Sequence, residues 1–202
     1  MKERYKNICG VVLAGGKSSR YKGKNKAFLK IEGETFYDKT ILLLESIFEE
    51  LIVITNNPED FPKDKIPKCK DLIKNIGPLG GIQTALTNAK NFDAIFIVAV
   101  DMPFLNEAII REIVKAFNKQ DCDILIPIIG KNIEPLSGIY SINILEQLNE
   151  YINTTSNFSI RSFFEKVNTK YFELEANDSN MRNFYNINSK SDYDTLILDI
   201  DL

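Results

Sequence analysis

Six basic side chains and no acidic one fall between Lys17 and Lys30: Lys17, Arg20, Lys22, Lys24, Lys26 and Lys30. They follow directly on Gly15-Gly16, at the end of the apolar run Ile8 to Leu13. Paired glycines let backbone N–H groups close on a phosphate. Arginine adds bidentate contacts to phosphate oxygens, and lysine a movable point charge. The stretch therefore reads as a cradle for a polyphosphate. The rest of the chain carries 19 basic against 28 acidic residues, a net −9 within a whole-chain charge of −3. A positive ribbon thus lies on a negative body. The charge pattern leaves open a second reading, a solvated basic turn. The ribbon is not a Walker A loop, because Gly23-Lys24-Asn25 departs from G-x-x-x-x-G-K-[ST] at two positions, and G-x-G-x-x-G is absent.

Asp101 is the next candidate. It follows seven apolar residues, Ala94 to Val100, and Met102-Pro103 then breaks the run. A carboxylate at the end of a buried strand is costly unless paired or metal-bound. Mg²⁺ takes one or two carboxylates, keeps several waters and completes its shell with substrate phosphates. One aspartate facing a Lys/Arg ribbon meets that requirement; capping of the turn ahead of Asn106 is the alternative. A third loop, Asn75-Ile76-Gly77-Pro78-Leu79-Gly80-Gly81, puts glycines at a helix start. Free N–H groups there favour polar or anionic ligands, although helix packing alone would also select glycine.

Composition narrows the chemistry further. The chain of 202 residues has no histidine, which excludes His general bases, His metal ligands and Ser-His-Asp triads. Cys9, Cys69 and Cys122 lie 60 and 53 residues apart and form no C-x-x-C pair or zinc ribbon. Their odd number and the lack of a leader pattern point to a reducing cytoplasm. The longest clean apolar run has seven residues, far short of a membrane span, and the net charge gives no reason to expect nucleic acid. The chemistry left rests on carboxylates, lysines, arginines, amides and backbone groups, with a hard metal ion.

These residues need a scaffold. Ile8 to Leu13, Leu51 to Thr55, Ala94 to Val100 and Ile124 to Ile129 are apolar without alternation, the pattern of strands buried on both faces. Between them, Tyr37 to Phe48, Leu79 to Ala89 and a segment capped by Asn106 through Phe117 carry apolar residues at helical spacing. Ile139 to Ile142 and Tyr171 to Leu174 read as strands, and Asn143 to Tyr151 and Ser159 to Val167 as helices. Ser189 with Asp192 caps a closing helix to about Leu198. The β-α-β-α rhythm predicts a three-layer, doubly wound α/β fold with a mostly parallel sheet. Ligands collect at the carboxyl ends of the strands in such a sheet, near the topological switch point, and the glycine-basic loop begins at one of those ends.

LAGGKSSRYKGKNK, GPLGG and VAVDMPF, in that order, resemble motifs of the molybdenum cofactor guanylyltransferases (MobA-type). These are nucleotidyltransferases with a Rossmann-like fold of the nucleotide-diphospho-sugar transferase kind. Leu13, Ala14, Gly15, Gly16, Ser18, Arg20 and Lys26 match the first motif, while Tyr21, Lys22 and Asn25 depart from its usual Met, Gly and Asp. Glu134 to Tyr140 and Phe184 to Ser189 resemble two later segments, so the likeness spans nearly the whole chain.

The resemblance implies that Leu13, Ala14, Gly15 and Gly16 hold GTP through backbone groups and that Lys26 contacts its phosphates. It places Asn56, with Asn57 as a one-residue alternative, near the base or ribose, and Asp71 on the nucleotide. It gives Asp101 both GTP and Mg²⁺, with Mn²⁺ as a substitute. The catalytic set is then Arg20, Lys26 and Asp101. The reaction implied is transfer of GMP from GTP to the terminal phosphate of molybdopterin, with molybdenum-cofactor-handling proteins or molybdoenzymes as further partners. The whole chain, 1–202, is then one domain, with the nucleotide on about 1–105 and the acceptor on about 106–202. On the acceptor side Arg161, Lys166 and Asn186 are candidates, although ordinary surface or structural roles explain each of them better. Other readings are a nucleotidyltransferase using CTP or UTP on molybdopterin or on a sugar or polyol phosphate, and a non-catalytic nucleotide-binding partner.

Overall fold

The four apolar runs form the middle of one sheet. The computed structural model describes residues 3–15 and 25–200. Strands β1 (Ile8–Leu13), β4 (Leu51–Ile54), β6 (Ala94–Ala99) and β7 (Ile124–Ile129) fall on the expected segments. With β5 (Lys68–Cys69), β9 (Ile139–Ser141) and β10 (Thr169–Leu174) they stand in the order β10-β7-β9-β6-β1-β4-β5, and β8 (Asn132–Ile133) pairs with β7. Pairing is parallel except for β9, which runs antiparallel between β6 and β7, and for β8.

Absence of alternation has its cause in the two cores. Val12, Val53, Phe96 and Val98 face one layer, with α1 (Phe36–Glu45), α3 (Glu107–Phe117) and α7 (Lys190–Ile200). Val11, Ile52, Ile54, Ile95 and Ile97 face the other, with α2 (Pro78–Asn88), α4 (Leu145–Thr154) and α5 (Ile160–Phe164). The positions on β1, β4 and β6 are therefore apolar or glycine and buried, except half-buried Leu13 at the rim end of β1.

Several elements differ from the sequence reading. α1 ends at Glu45, and Phe48 lies beyond it in an isolated bridge to Tyr5. α5 stops at Phe164, and β10 begins two residues earlier than its apolar pattern, at Thr169. A two-stranded hairpin, β2 (Lys30–Ile31) and β3 (Glu34–Thr35), turns on Glu32 and Gly33, both at positive φ. A short α6 (Asp178–Asn183) opens on the Asn177 side chain, which accepts from the Asn180 amide at 2.9 Å. The closing helix starts as expected: Asp192 N donates to Ser189 Oγ at 3.2 Å, and Ser189 N donates back to Asp192 Oδ2 at 2.8 Å.

Register aligns the strand ends that matter. Leu13 pairs with Ile54 on one side and Ala99 on the other, and Ile54 pairs with Cys69. Ala14 N donates to Ile54 O at 2.9 Å, and Val100 N to Leu13 O at 3.1 Å. The segments 14–15, 55–56, 70–71 and 100–101 therefore leave the sheet side by side. The chain passes from β1 to β4 and β5 on one side and then crosses to β6 on the other, so this rim is the topological switch point.

Candidate functional site

The rim brings Lys26 and Asp101 together. Lys26 Nζ donates to Asp101 Oδ2 at 3.1 Å, and both side chains are 21% exposed, so the pair is largely withdrawn from water. Lys26 opens a single 3₁₀ turn whose preceding residue, Asn25, accepts from the Ala27 amide at 3.0 Å. Asparagine here supplies the same acceptor oxygen that aspartate would, so its departure from the family pattern leaves the turn intact. Asp101 sits two residues past β6 rather than at its last position, and its carbonyl accepts from Ile187 N at 2.9 Å. Met102 beneath it meets the buried Ser137 hydroxyl at 3.2 Å.

A second pair lies across β1. Asn56 Nδ2 donates to Asp71 Oδ2 at 2.8 Å. A carboxylate only accepts, so the amide nitrogen must face Asp71, and this fixes the orientation of Asn56. Asn56 Oδ1 is then a buried acceptor with no partner among the described residues. Gly15 lies beside it: a β-carbon there would stand 3.9 Å from Asn56 Nδ2. Asp71 is half-buried, whereas Asn57 is exposed.

The GPLGG loop starts α2, with Gly77 at φ 62° before Pro78 in the first turn. A β-carbon on Gly80 would meet Ile73 O at 2.6 Å, and one on Gly81 would meet Leu13 Cδ2 at 3.2 Å. These two glycines let the first turn of α2 close onto the end of β1 and onto the loop carrying Asp71.

Of the sequence candidates, Leu13, Ala14, Gly15, Lys26, Asn56, Asp71 and Asp101 gather on this rim. Gly16 and Arg20 lie outside the described residues. The acceptor-side candidates separate. Arg161 and Lys166 are exposed on and just after α5, in the α2/α4 layer, while Asn186 is half-buried next to Ile187, which holds Asp101. Two contacts of the candidate residues escaped the sequence reading. Glu134 accepts a hydrogen bond from Asn186, and its burial raises its carboxyl above the usual range despite that bond. Asp192 is held below the usual range first by Ser189 and also feels the Lys26 charge, so Lys26 lies in the field of two carboxylates. Neither contact leaves a trace in local spacing, because each joins segments far apart in the chain.

No group of three or more His, Cys, Asp or Glu able to hold a metal occurs among the described residues. The donor set at Asp101 instead fits a hard divalent ion that takes one protein carboxylate and completes its shell from substrate phosphates.

A doubly wound sheet with a cation and a carboxylate paired at its switch-point rim fits a nucleotidyltransferase, a class of enzyme whose task is to align and neutralise phosphates. The family model described as MobA-like NTP transferase domain matches residues 10–170. A protein of Clostridium perfringens strain 13 named "Probable molybdenum cofactor guanylyltransferase" is 37% identical over 190 residues, covering 92% of this chain and 94% of that one. A "Molybdenum cofactor guanylyltransferase" of Desulfosudis oleivorans is 30% identical over 188 residues, covering 92% of each. Among solved structures, molybdopterin-guanine dinucleotide biosynthesis protein A of Archaeoglobus fulgidus has a similar fold, with a TM-score of 0.79 at 23% identity, covering 96% of this chain and 98% of that one. The chain belongs to the MobA-like NTP transferase family.

Proposed function

We propose that this chain transfers GMP from GTP to the terminal phosphate of molybdopterin, releasing pyrophosphate and forming molybdopterin guanine dinucleotide. The observation that carries the reading is the Lys26–Asp101 pair at 3.1 Å on the rim that also holds Asn56 and Asp71. The names borne by the full-length relatives agree with it.

In this reading the backbone of Leu13, Ala14 and Gly15 lies along the nucleotide. Asp71 Oδ1 and Asn56 Oδ1, the latter without a partner among the described residues, offer two acceptors on one side of the rim. Guanine presents donors at N1 and N2, which two acceptors match, whereas adenine and cytosine each place an acceptor beside their amino group. An oxygen of the acceptor phosphate attacks the α-phosphorus, and the bond to the β-phosphate oxygen breaks as pyrophosphate leaves. The nucleophile is already an anion at pH 7, so no general base is required, in keeping with a chain that has no histidine. Lys26 balances charge on the departing pyrophosphate, and Arg20 from the same ribbon adds to it. Bound at Asp101, Mg²⁺, or Mn²⁺ in its place, supplies further neutralisation of the phosphate oxygens. The acceptor approaches from the half of the chain beyond residue 105, where Asn186 adjoins the Asp101 turn.

The test is pyrophosphate release with molybdopterin and each nucleoside triphosphate in turn. Release with GTP that requires both molybdopterin and a divalent cation is the expected result. Release with CTP or UTP in preference to GTP would replace guanine in this reading, and GTP binding without turnover would reduce the chain to a binding partner.

A further inference from the structure

Lys26 and Asp101 are assigned to the same nucleotide, yet here they bind each other. The ammonium occupies one carboxylate oxygen at 3.1 Å, with both side chains largely out of water. No other described cation is seen bonded to Asp101. A hard divalent ion needs that carboxylate deprotonated and free of a competing cation, and it would also be repelled by an ammonium so close. An unpaired carboxylate in the same half-buried place would be costly, which favours a cation beside it.

We propose that Lys26 is a place-holder: in the free protein its ammonium takes the position on Asp101 that a divalent cation takes in the loaded one, and it transfers to the triphosphate as that cation enters. This rests on the reading of Asp101 as the metal-holding residue. Three features make the exchange feasible. Lysine carries its charge on a flexible four-carbon stem, so it can leave one anion for another without moving the backbone. Its anchor is fixed, because the Asn25 cap holds the turn on which Lys26 sits. The start of α7 keeps a second carboxylate, Asp192, within its field.

The consequence is a binding order. Metal alone meets an occupied carboxylate and binds weakly; triphosphate offers Lys26 a new partner and frees Asp101, so nucleotide and metal each strengthen the other. Such coupling is reciprocal by thermodynamic necessity. It keeps the site from collecting metal without a substrate.

Mn²⁺ titration followed by the electron paramagnetic resonance of the free ion tests this without turnover. In nucleotide-free protein, Lys26→Met is expected to bind Mn²⁺ about tenfold more tightly than the unaltered chain, the equivalent of ~1.4 kcal/mol. Lys26→Gln should behave alike, and adding Asp101→Asn should abolish the gain. With a non-reactive α,β-methylene analogue of GTP present, the sign should reverse, Lys26→Met weakening the joint binding of Mn²⁺ and analogue. Equal Mn²⁺ affinity for the unaltered chain and both Lys26 variants, all weakened by Asp101→Asn, would overturn the place-holder and leave Asp101 as metal ligand. Mn²⁺ binding unchanged by Asp101→Asn would overturn the underlying reading instead. A gain that keeps its sign with the analogue would show that Lys26 only repels the metal and does not transfer.

Discussion

Lys26 and Asp101 each contribute a single charge, and what that charge does depends on its surroundings. Replacing Lys26 with alanine removes a charge-assisted hydrogen bond, a loss of about 1.5–3 kcal/mol where the bond is made. Calorimetry should therefore show GTP affinity falling at least tenfold in Lys26→Ala and GMP affinity much less; equal losses would mean that Lys26 does not read the β and γ phosphates. Glu134 offers a test of a different kind. Half-burial raises its carboxyl, so the folded value exceeds the unfolded one. The associated stability is present in full below the unfolded pKa and is lost as pH rises through the folded one. At neutral pH the ionised group is therefore a liability. Glu134→Gln keeps the shape and an oxygen for Asn186. Thermal unfolding should show it more stable than the unaltered chain at pH 7, with the advantage gone near pH 4. A gain of the same size at both values would assign the effect to packing rather than charge.

Elements decide where those side chains stand. The first turn of α2 reaches the rim only because Gly80 has no β-carbon, which would lie 2.6 Å from the Ile73 carbonyl oxygen. A backbone atom cannot step aside as a side chain can, so Gly80→Ala is expected to cost about 1–3 kcal/mol of unfolding free energy, measured by urea denaturation. It should also weaken nucleotide binding through Asp71; unaltered stability would show that α2 has slack. The long buried strands and α1 to α4 could be read from sequence because burial on both faces, or on one helical stripe, writes itself into residue type. β9 could not be read as antiparallel, since a strand of three residues, Ile139 to Ser141, carries no direction. α6, in the polar stretch DSNMRN, has no periodicity and owes its start to the Asn177 cap. The β2–β3 hairpin rests on two residues at positive φ, only one of them glycine. Site residues followed the same division. Lys26 and Asp101 stood out by charge against an apolar or glycine-rich neighbour. The Asn56–Asp71 bond spans 15 residues and the Glu134–Asn186 contact 52, so only the fold could join them.

The whole molecule separates a scaffold from a rim. Two apolar cores fill both faces of the sheet, and the proposed chemistry is confined to the strand ends at the switch point. No helix among the described residues is long and apolar enough to cross a membrane. Nothing in this arrangement calls on a thiol. Burial pushes the Cys9 thiol up to about 12, and the thiols of Cys69 and Cys122 are raised by the same cause. Changing all three to alanine should leave pyrophosphate release within about twofold while lowering stability by about 1 kcal/mol or more, the usual scale for a core substitution. Loss of activity in a folded triple variant would expose a thiol role absent from this account. In the proposed reaction, transfer of GMP depends on the Asp101 carboxylate beside Lys26. The most direct measurement is single-turnover release of pyrophosphate from GTP and molybdopterin by Asp101→Asn, with thermal unfolding recorded on the same sample. The expected rate is lower by about 10²–10³ or more, on the scale of losing one electrostatic contact to the transition state, in a protein that still unfolds in one cooperative step. A near-normal rate in that variant would contradict that dependence.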